Sequence, residues 1–82
     1  MPQDDSTIAR LAAILAQVAR VDAASVTRDS RLRDEFRIDS LAMIDLVVAV
    51  EDAFGVRIPD EDAERFQTVG DVADFLQHAA VA

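Results

Sequence analysis

The chain has 82 residues, no cysteine, one histidine, 51% apolar residues and a formal net charge of −8. One small domain spanning residues 1–82 is expected, held by its hydrophobic core alone, because disulfides and cysteine-based metal sites are excluded. The acidic balance argues against nucleic acid as a partner, and no apolar run reaches the length of a membrane span or a signal-peptide core, so a cytoplasmic protein is expected.

Asp5 or Ser6 is placed to cap a first helix, and Ile8, Leu11, Ala12, Leu15 and Val18 follow at helical spacing to an end near Arg20. The next stretch, "VDAASVTRDSRLRDEFRI", has no sustained period and offers Val26, Leu32 and Phe36 as isolated apolar anchors. It reads as an ordered loop of about eighteen residues, a length more often functional than not. A second helix is expected from Ser40 to Phe54, with Asp39 as N-cap and Gly55 as C-cap. Pro59 and the acids after it mark a short third helix, Asp60 to Arg65. Thr68 and Asp71 form a T-x-x-D capping box, and Val69, Val72, Phe75 and Leu76 continue as a fourth helix to about Ala79. The fold class is therefore all-α: a small four-helix bundle with a long loop between helices one and two and a short helix three.

The second helix is apolar on two sides. Met43, Leu46, Val47, Val50 and Phe54 form one stripe, and Leu41, Ile44 and Val48 fall opposite it together with Asp45 and Asp52. One stripe suffices for a core. A second stripe that mixes aliphatic residues with carboxylates suits a docking face, with apolar contact for affinity and acids for steering. Full burial is the other reading, and the interspersed acids weigh against it, since unpaired buried carboxylates are costly. Charge is concentrated in the same region: residues 39–64 hold eight acids against Arg57 alone, whereas residues 1–38 hold six acids and six arginines.

Ser40 could serve as a cap, as a nucleophile or as a point of attachment. Asp39 already supplies the cap, which leaves Ser40 as the first helical residue, with its hydroxyl at the positive end of the helix dipole. Catalysis would need a base, and His78 lies near the other end of the chain; there is also no G-x-S-x-G elbow around "IDSLA". Helix-start amides favour a phosphate, so the position suits a phosphodiester carried on Ser40.

Residues 38–76, "IDSLAMIDLVVAVEDAFGVRIPDEDAERFQTVGDVADFL", together with the looser "VTRDSRLRDEF" before them, resemble a bacterial acyl carrier protein of the discrete, type II kind. The wording is similar to that of carriers from high-GC Gram-positive bacteria, in keeping with a chain of eight arginines, fifteen alanines and no lysine. The resemblance implies that Ser40, next to Asp39, carries a 4′-phosphopantetheine arm added from coenzyme A by a phosphopantetheinyl transferase. It also implies that the protein is not an enzyme but holds acyl intermediates as thioesters for fatty acid or polyketide biosynthesis. Leu41, Ile44, Asp45, Val48, Glu51 and Asp52 match the family's partner-binding positions, which meet basic patches on ketosynthase, acyltransferase, reductase or dehydratase enzymes. Leu46, Val50, Phe54, Ile58, Ala63, Phe66, Val69, Val72 and Phe75 match the walls of an acyl cleft. A monomer without bound metal is expected. Two positions depart from the family pattern: Phe36-Arg37 replaces a Leu-Gly pair, with Ile38 as the variable residue, and Phe66 replaces a smaller aliphatic, which would narrow the cleft.

Three other readings compete. A carrier of a single activated amino or aryl acid has the same fold, although peptidyl carriers commonly show Gly-Gly-His or Gly-Gly-Asp before the serine. A calcium loop at "DEDAERFQTVGD" would have Arg65 where a glycine is needed and Asp71 where a bidentate glutamate is needed. The last is a helical interaction module in which Ser40 stays unmodified.

Overall fold

The computed structural model describes residues 2–81, with side chains described for residues 6–78. Among the described residues four α-helices follow in order: α1 (Pro2–Val18), α2 (Ser40–Phe54), α3 (Asp60–Arg65) and α4 (Val69–Val81), with one 3-10 turn at Ala23–Ser25. There is no strand among the described residues, only one isolated bridge between Arg31 and Thr68. No helix of the described residues is long and apolar enough to cross a membrane.

The α1 helix starts earlier than the expected cap. It is already helical at Pro2, so Ser6 lies within the helix, while the side chain of Asp5 is outside the described residues. Proline suits a first helical position because its missing N–H would have had no intrahelical partner there. The helix closes through Ala19 N–H donating to the Leu15 carbonyl at 2.8 Å, after which Arg20 turns the chain out at φ 57°. Leu11 and Leu15 are buried, and α1 packs against both α2 and α4. Arg10 ties α1 to the far end of α2. Its guanidinium donates to the Ala53 carbonyl at 2.6 Å and stacks 4.0 Å above the Phe54 ring, satisfying a carbonyl that the helix end leaves open.

The connection between α1 and α2 is ordered by capping and by anchors. Asp22 caps the 3-10 turn through Ala24 N–H at 3.1 Å, and the buried Ser30 hydroxyl accepts from Thr27 N–H at 3.0 Å. Val26 and Leu32 enter the core as expected, but Phe36 is only half-buried. The third anchor is Ile38, at 2% exposure, the residue expected to be merely variable. Burying such a side chain stabilises by about 1.5–3 kcal/mol, which explains how so long a segment stays pinned beside Ser40. The segment also zips to the start of α4. Leu32 N–H donates to the Gln67 carbonyl (2.9 Å), Val69 N–H to that of Ser30 (3.0 Å) and Gly70 N–H to that of Arg28 (2.9 Å). Gly70 eases that approach, since a Cβ there would lie 3.1 Å from the Arg28 carbonyl oxygen, a tight contact that would push the two segments slightly apart.

The caps of α2 and α4 form as the sequence predicts. Gly55 ends α2 at φ 64°, and the Asp71 carboxylate accepts from Gln67 and Thr68 N–H while Thr68 Oγ1 accepts from Asp71 N–H at 3.2 Å. That use of Asp71, with residues 60–65 helical, leaves no calcium-loop geometry in "DEDAERFQTVGD". Within the core Phe66 is 6% exposed and meets Phe75 edge to face, with ring centroids 5.8 Å apart.

Candidate functional site: the Ser40 groove

Asp39 sets the start of α2. Its backbone is extended (φ −84°, ψ −171°), its carboxylate accepts from Ala42 N–H at 2.9 Å, and its carbonyl accepts from Met43 N–H at 2.8 Å. The cap is complete without Ser40, which is the first helical residue and exposed, with no hydrogen bond from its side chain among the described residues. His78, the only histidine, is on α4, where its Nδ1 lies 2.9 Å from the Asp74 carbonyl. No base is therefore joined to Ser40, and the geometry does not support a hydrolytic serine. Just ahead of the site, Arg37 takes φ 54°, the left-handed conformation that glycine adopts at least cost.

Ser40 stands on the rim of a groove of about 480 Å³ between α2 and α3. One wall is α2, through Met43, Ile44, Val47, Val48 and Glu51. The other is Ile58 with Asp60, Ala63 and Glu64 of α3, and Arg33 reaches in from the preceding loop. Of the nine residues expected as cleft walls, only Ile58 and Ala63 line this groove. Leu46, Val50, Phe66, Val69 and Val72 are buried in the core, Phe54 lies under Arg10, and Phe75 packs on Phe66. Phe66 instead faces a smaller hollow of about 220 Å³, shared with Arg31, Arg33 and Glu64. Helical spacing puts a residue on a side of its helix, but which side faces a neighbouring helix is decided by tertiary packing. Arg33 was not singled out from the sequence, since one arginine in a charged loop carries no local signal.

The second stripe of α2 is a surface. Leu41, Ile44 and Val48 are 74%, 59% and 57% exposed, and Asp45 and Asp52 flank them in solvent. These aliphatic side chains are left open to solvent along one side of α2, outside the core. Glu51 has a second use. Its carboxylate accepts from Ile58 N–H at 2.7 Å and holds the turn between α2 and α3 in place, so it is half-buried and shapes the groove.

Fold and site together make a small helical bundle that presents an exposed serine at a helix start, beside a groove and an acidic, apolar face. Residues 9–76 match the family model described as a phosphopantetheine attachment site. The chain is 40% identical over 72 residues to an acyl carrier protein of Acidothermus cellulolyticus, covering 88% of this chain and 86% of that one. It is 41% identical over 73 residues to a meromycolate extension acyl carrier protein of Mycolicibacterium smegmatis, covering 89% and 74% of the two chains. A solved Mycobacterium tuberculosis structure assigned to the acyl carrier proteins superimposes with a TM-score of 0.76 at 28% identity, over 92% of this chain and 95% of that one. The chain belongs to the acyl carrier protein family, whose cofactor is phosphopantetheine and whose members are carriers, not enzymes.

Proposed function

We propose that Ser40 carries the 4′-phosphopantetheine arm and that residues 1–82 act as one carrier domain, delivering thioester-bound acyl chains to biosynthetic enzymes in the cytosol. The observation that carries this reading is the position of Ser40: exposed, first in α2 and on the rim of the groove, within the segment that matches the attachment-site family. The residues present fit the group. Asp39 caps α2 without drawing on the serine, and the amides of Ser40 and Leu41 remain open to a phosphate. No side chain among the described residues hydrogen-bonds to Ser40 Oγ, so the proton lost on modification goes to a base of the transferase.

When bound, the arm supplies the thiol that this cysteine-free chain lacks. The chain itself supplies shelter and recognition. Met43, Ile44, Val47, Val48, Ile58 and Ala63 give the groove an apolar lining suited to an alkyl chain. Leu41, Ile44 and Val48, with Asp45 and Asp52, form the face that meets the basic patches of the transferase and of ketosynthase, acyltransferase, reductase or dehydratase partners. Fatty acyl cargo is favoured by that lining and by relatives named for meromycolate extension. Incubation with coenzyme A and a transferase, followed by peptide mapping, tests the assignment. The arm is expected on the peptide containing Ser40; finding it on Ser6, Ser25 or Ser30 would overturn the assignment.

A further inference from the structure

Arg33 is the one cation among the residues lining the Ser40 groove, and the other charged residues there are Glu51, Asp60 and Glu64. No hydrogen bond or ion pair of its side chain is found among the described residues, although all three of those acids share its groove. The neighbouring arginines are differently placed. Arg31 pairs with Asp34 at 3.3 Å, Arg28 pairs with Asp74 at 2.9 Å, and Arg37 does not line the groove.

We propose that Arg33 is a positioning residue for the prosthetic arm: its guanidinium pairs with the phosphodiester at Ser40 and lays the arm into the groove between α2 and α3 instead of into solvent. This rests on Ser40 as the attachment point. A phosphodiester keeps one negative charge at neutral pH, and a covalent link fixes it at the groove rim. Without Arg33 the charged residues of the groove are all carboxylates, which repel that phosphate. With Arg33 present, the groove offers that phosphate one attractive charge among the carboxylates. A guanidinium presents paired donors that match phosphate oxygens, so the contact has direction as well as charge. Arg37 sits three residues before Ser40 but outside the groove, and a pairing there would draw the arm away from it.

The test compares amide and methyl chemical shifts of the protein before and after loading with unacylated arm. It is read at Ile58 and Ala63 on the wall facing Ser40, not at residues beside the attachment point. Intact mass is measured first in each variant. A missing mass gain in wild type overturns Ser40 as the attachment point, and this inference with it. With loading confirmed, wild type should show shift changes at Ile58 and Ala63 in about 50 mM salt that shrink in about 500 mM salt, because screening weakens an exposed pair. R33A should lose more than half of those changes, R33K should retain most of them, and R37A should match wild type. Shift changes in R33A equal to those of wild type, or an equal loss in R37A, would overturn the proposal; so would an R33K that behaves as R33A does.

Discussion

Arg37 holds a left-handed backbone at φ 54° directly before Ile38, Asp39 and Ser40. An L-residue pays about 1–2 kcal/mol for that conformation, part of which a glycine gives back through its freer unfolded chain. Arg37→Gly should therefore be more stable than Arg37→Ala by up to about 1 kcal/mol, read as a higher urea midpoint at an unchanged slope. An alanine variant at least as stable as the glycine variant would show that the strain is relieved elsewhere. The need for a turn here was visible in the sequence only by comparison with the family's glycine. The burial of Ile38 was not visible, because one isoleucine in an aperiodic loop looks the same whether it faces the core or the solvent. Phe66 was read correctly as inward-facing, yet its ring packs on Phe75 and not along the groove that opens at Ser40. Its neighbours in sequence say that it is buried; only the packing of α3 and α4 says against what.

Helix ends were the most legible elements, because their signals are local. Asp39, Gly55 and the Thr68–Asp71 pair all cap as their spacing implies, since each hydrogen bond joins residues within four positions of one another. Asp71 holds two backbone N–H groups at the entry to α4, and that entry is zipped to the loop carrying Arg31, Leu32 and Arg33. Asp71→Ala should cost about 0.5–2 kcal/mol, with the loss reaching that loop as faster amide exchange at Leu32 and Val69. Exchange that speeds up only beyond Val72 would mean that the two segments open independently. Links between distant elements left no such trace. Arg10 reaches Ala53, 43 positions away, and the Phe54 ring beside it, and Glu51 on Ile58 N–H looked like one more surface acid of α2. The start of α1 was also misplaced, since Asp5 and Ser6 make a plausible cap in isolation while Pro2 provides an earlier start.

At the scale of the molecule, most of the charge of −8 is gathered on one side of the sequence, in the stretch that begins at Asp39 and includes the exposed stripe of α2. Such a field speeds the approach of basic partners and falls with ionic strength, whereas the aliphatic stripe holds them once docked. Reversing Asp45 and Asp52 to arginine should slow modification by the transferase at about 50 mM salt and leave a much smaller difference from wild type at about 500 mM salt. A wild-type rate that does not change over that range would mean that steering has no part in recognition. The four-helix architecture and the two-sided character of α2 could both be derived from periodicity. The groove could not, because it exists only once α3 is brought beside α2, with the Glu51 carboxylate accepting from Ile58 N–H in the turn between them.

The central claim is that one hydroxyl, at the start of α2, turns a chemically inert bundle into a carrier. Intact mass of wild type and Ser40→Ala after incubation with coenzyme A and a phosphopantetheinyl transferase tests it most directly, with circular dichroism as the check on folding. Ser40 is exposed and Asp39 caps the helix without it, so the variant should keep its helical spectrum. Wild type should gain the mass of a single arm and the variant none. A folded variant that still gains that mass would contradict the account.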